Sequence, residues 1–282
     1  MRYTTIRTDW GTTAGRVDGE HVVHLPFADV GDMLASGPDW RALTDVADDG
    51  SAARTALVEA DFAPLVPRPE KIFCVGANYA DHALEVGLPL PKYPALFAKF
   101  SRSLIGARDD LVLPPESNAV DWEAELGVVI GQTTRRVDEA QAAEAIAGYT
   151  IVNDVSMRDW QLRTSQFLQG KTFEASTPVG PFLVTPDELD HQSGLKLGCS
   201  VDGIVMQEAV TSDLVFSVAH IIAYISRFVT LVPGDLIATG TPAGVGGARR
   251  PPVYLGAGQV LRTWVDGLGE QVNRCLPTPE EA

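Results

Sequence analysis

Residues 120–131 read Val120-Asp121-Trp122-Glu123-Ala124-Glu125-Leu126-Gly127-Val128-Val129-Ile130-Gly131. The run reads as a buried strand, because after Glu125 it is apolar on both faces. In a strand, side chains at i and i+2 share a face. Glu123 and Glu125 therefore point the same way, close together, out of an apolar sheet. Two such carboxylates repel, and the cost falls only on protonation or when a cation bridges them. A hard divalent metal meets that need. A solvated edge strand with both glutamates on its wet face meets the spacing equally, but the Gly-Val-Val-Ile-Gly that follows argues against it.

Around this strand, 282 residues with 45% hydrophobic content are enough for a sizeable core. The 26 glycines and 19 prolines point to many turns and a strand-rich fold. A net charge of -15 argues against nucleic acid or an anionic membrane as partner. Cys74, Cys199 and Cys275 are scattered, without a CxxC, which indicates a reducing compartment, the cytoplasm, and no zinc–thiolate site. The first nine residues carry no apolar signal core. The most membrane-like run, 214–232, is interrupted by His220, Ser226 and Arg227. Its Leu214, Val215, Val218, Ile221, Ile222 and Ile225 keep helical spacing, so it reads as a core helix and not a membrane span.

Residues 1–65 form a small N-terminal accessory α/β unit, with short strands, a turn at Asp18-Gly19 and one or two helices within 29–60. Pro64, Pro67 and Pro69 make 64–69 an extended linker. A main domain over 70–275 then opens with a strand at 71–75. The proline-rich stretch 87–94 reads as a surface loop placed to act as a lid. A helix over 138–147 is marked by Asp138 at its N-cap, Gln141 three residues on and Gly148 past its end. A strand at 149–152 delivers Asn153 and Asp154 at its tip. Further strands are expected at 183–184, 196–201, 236–239 and within 254–265, and a helix near 214–226.

Four groups of residues have chemical potential. Glu123, Glu125 and Asp154 offer oxygen ligands only, which suits Mg²⁺, Mn²⁺ or Ca²⁺. His82 and Glu85 meet on one side of a helical turn. A carboxylate there fixes the imidazole tautomer and raises its basicity, although His-x-x-Glu is also a common surface pair. Arg158 and Gln161 offer donors, and Lys171 follows Gly170, where backbone can approach a ligand. Gly170-Lys171-Thr172 is not a phosphate loop, because Ser165 occupies the required first glycine position. Finally, 233–247 reads as a strand ending in a turn, either a plain turn or a small anion cradle.

The order of these motifs resembles the fumarylacetoacetate hydrolase family over roughly residues 70–275. The shared wording is Asn-Tyr-x-Asp-His-x-x-Glu, Asp-Trp-Glu-x-Glu-Leu, Asn-Asp-x-Ser, Arg-Asp-x-Gln, Gly-Lys-x-Phe and Pro-Gly-Asp-x-Ile-x-Thr-Gly-Thr-Pro-x-Gly-Val-Gly. The resemblance implies an α+β fold built on a mixed β-roll or flattened β-barrel, usually as a homodimer. It implies Mg²⁺ or Mn²⁺ at Glu123, Glu125 and Asp154. His82 and Glu85 become a catalytic dyad on a segment that orders with substrate. Lys171 becomes the cation that stabilises developing negative charge, and Arg158, Gln161 and Thr241 contact substrate. Met157 and Glu174 depart from the family's wording and are expected to reshape the pocket.

The reaction so implied is metal-dependent hydrolysis of a C–C bond in an acylpyruvate or related 2,4-dioxo acid through an enolate, with a place in aromatic catabolism. The same enolate also serves oxaloacetate decarboxylation, or isomerisation and hydration of unsaturated 2-oxo dicarboxylates. A silent scaffold that binds an oxo acid is the non-enzymatic alternative, against which every implied position holds a suitable side chain.

Overall fold

The computed structural model describes residues 1–44, 52–189 and 193–278. Its main sheet has ten strands, and the functional strands lie in its middle. From one edge they run Arg54–Ala56, His21–His24, Gly11–Asp18, Arg2–Thr8, Leu183–Val184, Ile146–Asn153, Ala124–Ile130, Leu236–Ala238, Ile72–Gly76 and Ala95–Ala98. A second sheet of five runs Ile204–Val210, Lys196–Val201, Val260–Val265, Gly269–Pro277 and Leu111–Leu113. Neither closes on itself. The strand-rich α+β expectation holds, as a roll of open, mixed sheets.

The N-terminal strands are hydrogen-bonded into the main sheet, with Tyr3 opposite Leu183 and Arg2 opposite Val184. Two short helices, Val30–Ala35 and Trp40–Leu43, follow them. Of the rest of the expected helical stretch, residues 45–51 lie outside the described residues, and Arg54–Ala56 is not helix but an edge strand of the main sheet.

All seven residues of Ala124–Ile130 and all eight of Ile146–Asn153 are buried. Helix Val218–Ser226 covers one face of this centre, packing Val218, Ile221, Ile222 and Ile225 against Leu126, Val128, Ile130 and Ile237. Each such fully buried side chain stabilises by about 1.5–3 kcal/mol. The helix starts later than its apolar spacing implies, because Ser217 caps it and accepts the His220 N–H. Leu214 and Val215 pair instead with Tyr79 and Asn78.

The helix expected over 138–147 has both halves of its capping box, but spans only Glu139–Glu144. Ile146 and Ala147 belong to the following strand. Gly148 is no helix cap: a Cβ there would lie 2.5 Å from the Val184 carbonyl, so glycine lets Leu183–Val184 approach. Within 254–265 only Val260–Val265 is strand. No helix among the described residues is long and apolar enough to cross a membrane.

Candidate active site

The Glu-x-Glu segment is not one continuous strand. Val120 and Asp121 pair with Met157 and Ser156, whereas Ala124 onward pairs with Ile146–Asn153. The chain changes partner at Trp122-Glu123, and the Glu123 N–H donates to the Asn153 side-chain oxygen at 3.0 Å. Asp154, just past the tip of Ile146–Asn153, donates its N–H to the Glu123 carbonyl at 2.9 Å. The convergence survives the break: ligand oxygens of Glu123, Glu125 and Asp154 lie within 4.8 Å of one another, all buried.

Three buried or nearly buried cations surround this trio. Lys171 Nζ donates to Glu123 Oε2 and Asp154 Oδ2, both at 2.8 Å. Lys99 Nζ donates to Asp154 Oδ1 at 2.5 Å. Arg158 reaches Glu123 Oε1 through Nη1 at 2.6 Å and Asp121 Oδ2 through Nε at 2.8 Å. Glu125 makes no ion pair among the described residues; its Oε2 accepts the Gly240 N–H at 2.7 Å.

The two glutamates consequently titrate in opposite directions. Burial pushes Glu123 up, but Lys171, Arg158 and His82 outweigh it and bring its carboxyl down to about 2. Burial, then Asp154 and Glu123, hold Glu125 well above the usual carboxylate range. Lys171 is lowered by burial and raised more strongly by Asp154 and Glu123, so it stays charged. An oxygen-only donor set in which one buried carboxylate makes no direct ion pair fits a hard divalent cation.

Lys171 reaches the trio from helix Leu168–Lys171. Gly170 does not approach a ligand there. A Cβ on it would sit 2.4 Å from the Gln161 nitrogen and 2.5 Å from the Met157 carbonyl, so it lets this helix pack on Arg158–Gln161. The turn at 240–247 is a cradle, but for the protein's own carboxylates. Gly240 donates to Glu125, Gly244 to Glu85 Oε1, and Gly246 and Gly247 to Asp121.

His82 and Glu85 lie on helix Ala80–Glu85, with His82 Nδ1 3.3 Å from Glu85 Oε2. Both line a cavity of about 700 Å³ together with Glu123, Arg158, Gln161, Lys171 and Thr241. All nine residues singled out in the sequence thus lie in this cavity or in the carboxylate trio beside it. Arg158 Nη1 also donates to Gln161 Oε1, and its Nη2 is buried without a hydrogen-bond partner. The Thr241 hydroxyl is engaged: it donates to the Ala124 carbonyl and accepts from Gln207 Nε2. Gly87 and Leu88, from the loop expected as a lid, line the mouth.

Met157 and Glu174 do not line the cavity. Met157 is packed in a core with Trp122 and Val155, and Glu174 pairs with Arg102. Lys99, Asp121, Gln207 and Arg250 also reach the site, all but Asp121 from outside the motifs that mark the other residues. Lys99 had one signal, a charge at the end of the apolar run Ala95-Leu96-Phe97-Ala98. Asp121 lay inside the decisive stretch, but its bonds to Arg158 and to two glycines come from distant parts of the chain.

Open mixed sheets around a buried tricarboxylate cage, with a histidine–glutamate pair across one cavity, define a protein class that can be compared directly. Residues 71–276 match the fumarylacetoacetate (FAA) hydrolase C-terminal family, and the chain belongs to the fumarylacetoacetate hydrolase family. Over 237 residues it is 46% identical to a Homo sapiens protein named oxaloacetate tautomerase FAHD2A, mitochondrial, covering 80% of this chain and 76% of that one. The structure of fumarylacetoacetate hydrolase from Exiguobacterium antarcticum superposes with a TM-score of 0.87 at 30% identity, over 98% of this chain and 99% of the other. That of 5-carboxymethyl-2-hydroxymuconate delta-isomerase from Mycobacterium smegmatis superposes at 0.80 and 30% identity, over 99% and 100%.

Proposed function

We propose that this chain is a metal-dependent enzyme moving a proton at C3 of a 2-oxo diacid, interconverting the keto and enol forms of oxaloacetate. The observation that carries this reading is the cage itself: Glu123 faces the same cavity as the His82–Glu85 pair and Lys171. The name of the 46%-identical human relative supports oxaloacetate and tautomerisation. Mg²⁺ or Mn²⁺ is the proposed ion, held by Glu123, Glu125 and Asp154. The chemistry such an ion supplies is Lewis acidity, which draws electrons from the C2 carbonyl and acidifies C3.

His82 takes the proton from C3, with Glu85 holding the ring through Nδ1 so that Nε2 is the base. Two of the three Lys171 N–H groups are committed to Glu123 and Asp154. The third serves the negative charge that grows on the C2 oxygen. The proton held on His82 passes to that oxygen and completes the enol, leaving His82 neutral again; the reverse path restores the ketone, and no carbon–carbon bond breaks. The unpartnered Arg158 Nη2 is a ready donor for the C1 carboxylate, with Gln161 beside it.

The diacid preference rests on Arg250. It lines the cavity and has no carboxylate partner among the described residues, whereas Arg158 and Lys171 both do. Its hydrogen bonds go to its own loop, to the Ala248 and Arg249 carbonyls at 3.3 and 3.1 Å. A second substrate carboxylate completes its coordination.

The cavity volume favours one second reading, C–C hydrolysis of an acylpyruvate, since about 700 Å³ accommodates a longer acyl arm and a water. In that reaction His82 takes its proton from water. We assign the protein to the cytoplasm, on its three buried free cysteines. We also propose a homodimer, on the exposed apolar Leu84, Leu88, Leu90, Tyr93 and Phe228.

The test is ultraviolet absorbance of the oxaloacetate enol with Mg²⁺, Mn²⁺ or EDTA, in parallel with acetylpyruvate, fumarylpyruvate and an unsaturated 2-oxoheptanedioate. Metal-dependent enol decay without loss of carbon is the expected result. Decay equally fast in EDTA sinks the proposal. Pyruvate plus a carboxylic acid from an acylpyruvate moves the assignment to hydrolase, and CO₂ release from oxaloacetate moves it to decarboxylase.

A further inference from the structure

Strand Ile204–Val210 lies at the edge of the five-stranded sheet, and its one buried residue is polar. Gln207 is 1% exposed, between Met206 and the exposed Glu208. Burying a primary amide is costly unless its hydrogen-bonding groups are satisfied. Here they are, and the partners belong to the cage. Gln207 Oε1 accepts the Ala124 N–H at 2.9 Å and the Cys199 thiol at 3.2 Å. Its Nε2 donates to Thr241 Oγ1 and to the Pro242 carbonyl, both at 2.8 Å. Thr241 in turn donates to the Ala124 carbonyl at 3.0 Å.

Ala124 is the residue between Glu123 and Glu125. Its N–H belongs to the peptide that joins it to Glu123, and its C=O to the peptide that joins it to Glu125. One amide therefore restrains both peptide planes, the first directly and the second through Thr241. Rotation of either plane swings a carboxylate out of the trio. The restraint falls where it is needed, because the strand changes partner at Trp122-Glu123. Two glycines make room for this strand, Gly198 on the neighbouring strand of the same sheet and Gly244 in the 240–247 turn. A Cβ on Gly198 would lie 2.2 Å from the Gln207 carbonyl, and one on Gly244 2.2 Å from that of Met206.

We propose that Gln207 is a positioning residue that sets the divalent-metal affinity of the cage through Ala124. The inference rests on the reading of Glu123, Glu125 and Asp154 as metal ligands. Partners hydrogen-bonded directly to a metal ligand typically contribute about 10–100-fold in affinity, and Gln207, which acts through the Ala124 backbone, is placed at the low end. Methionine matches the length of glutamine but can neither accept from Ala124 nor donate to Thr241.

The experiment is Mn²⁺ titration followed by electron paramagnetic resonance, with melting temperature in EDTA as a second readout, on wild type, Gln207→Met and Thr241→Val. The expected result is about tenfold or more weaker Mn²⁺ binding in folded Gln207→Met. Thr241→Val, which keeps the bond from Ala124 to Gln207, loses less. A lower melting temperature with wild-type Mn²⁺ affinity overturns the inference, since the amide would then serve only the fold. Should Gln207→Met not fold, Gln207→Asn, whose amide is one methylene too short to reach the Ala124 N–H, decides: unchanged affinity overturns the inference and weakened affinity supports it. A wild type that binds no Mn²⁺ overturns the metal-cage reading itself, and the inference with it.

Discussion

The cage and the dyad face one cavity but are held in different ways. Glu125 and Asp154 sit on or beside central strands, Glu123 is tied to Asn153 and Asp154, and all three carboxylates are buried. His82 and Glu85 sit on a six-residue helix, too short to be stable by itself. Beyond it the chain is exposed and apolar at Val86, Leu88 and Leu90. What anchors the helix is the chain just before it, through buried Tyr79 and through Asn78, whose side chain donates to the Phe216 and Thr239 carbonyls and accepts the Phe216 N–H, and at its far end the Gly244 N–H, which donates to Glu85 Oε1. The proposed metal pole is thus built into the sheet, and the proposed proton-transfer pole is docked onto it.

The largest expected effects test the metal pole and the asymmetry inside it. Glu123→Gln and Glu125→Gln each lower metal-dependent turnover by about 10⁴-fold, the several kcal/mol that a Lewis-acid ion supplies. Their effects on the metal-free fold differ. Glu123 has two cations, so its loss leaves Arg158 and Lys171 short of a partner and costs about 3 kcal/mol, at the low end for a broken buried pair because Asp121 and Asp154 remain. Glu125 has only the Gly240 N–H, so its neutralisation leaves metal-free stability unchanged or higher. Denaturant unfolding in EDTA measures both, and equal destabilisation by the two variants breaks the asymmetry.

The docked pole is expected to be less costly to remove. His82→Ala lowers turnover by about 10²-fold, the low end for a general base. Mn²⁺ affinity stays at its wild-type value, because His82 makes no hydrogen bond to the trio. Parallel turnover and Mn²⁺ titrations separate the two poles, and a matching loss of affinity would show that they are one unit.

The same division governs what the sequence makes legible. Glu125 is readable from strand alternation, Glu123 from its place two residues before it although the strand breaks there, Asp154 from a strand tip and His82–Glu85 from helical spacing, because each depends on neighbours a few residues away. The counter-charges do not: Lys99 meets Asp154 across 55 residues, and Gln207 meets Ala124 across 83. Nothing local distinguishes Gln207 from an ordinary residue of an edge strand. The glycines at 240–247 signal a cradle, but only the folded chain shows that it receives Glu125, Asp121 and Glu85. Strands in 1–65 are readable too, whereas their pairing with Leu183–Val184 joins residues far apart in the chain.

Glu125 also gives the metal pole a pH dependence. Its folded, metal-free pKa is raised above the ordinary 4.5. Its contribution to stability is therefore fully present below 4.5 and is lost as pH rises through the raised value. Metal binding needs the ionised form, so in that window each bound ion displaces one proton. Mn²⁺ affinity should fall by about tenfold for each pH unit lowered there. Glu123, held at about 2, contributes no such slope above that pH. Calorimetric titration in buffers of different ionisation heat counts the proton. Binding without proton release across this window would place Glu125 among ordinary ionised carboxylates.

The smallest effect tests the far side of the cavity. Arg250 is exposed at the mouth, so its charge is screened and worth about 1 kcal/mol at most to a bound carboxylate. Arg250→Gln should raise KM for oxaloacetate about fivefold and leave kcat unchanged, because the group touches no reacting atom. Inhibition by oxalate, which has no distal carboxylate beyond the pair a metal chelates, should keep its wild-type constant. The oxaloacetate effect should shrink further as salt is raised, while the contribution of the buried Lys171 should not. An equal loss for oxalate and oxaloacetate would mean that Arg250 acts on the field of the whole cavity, and the diacid preference would then need another source.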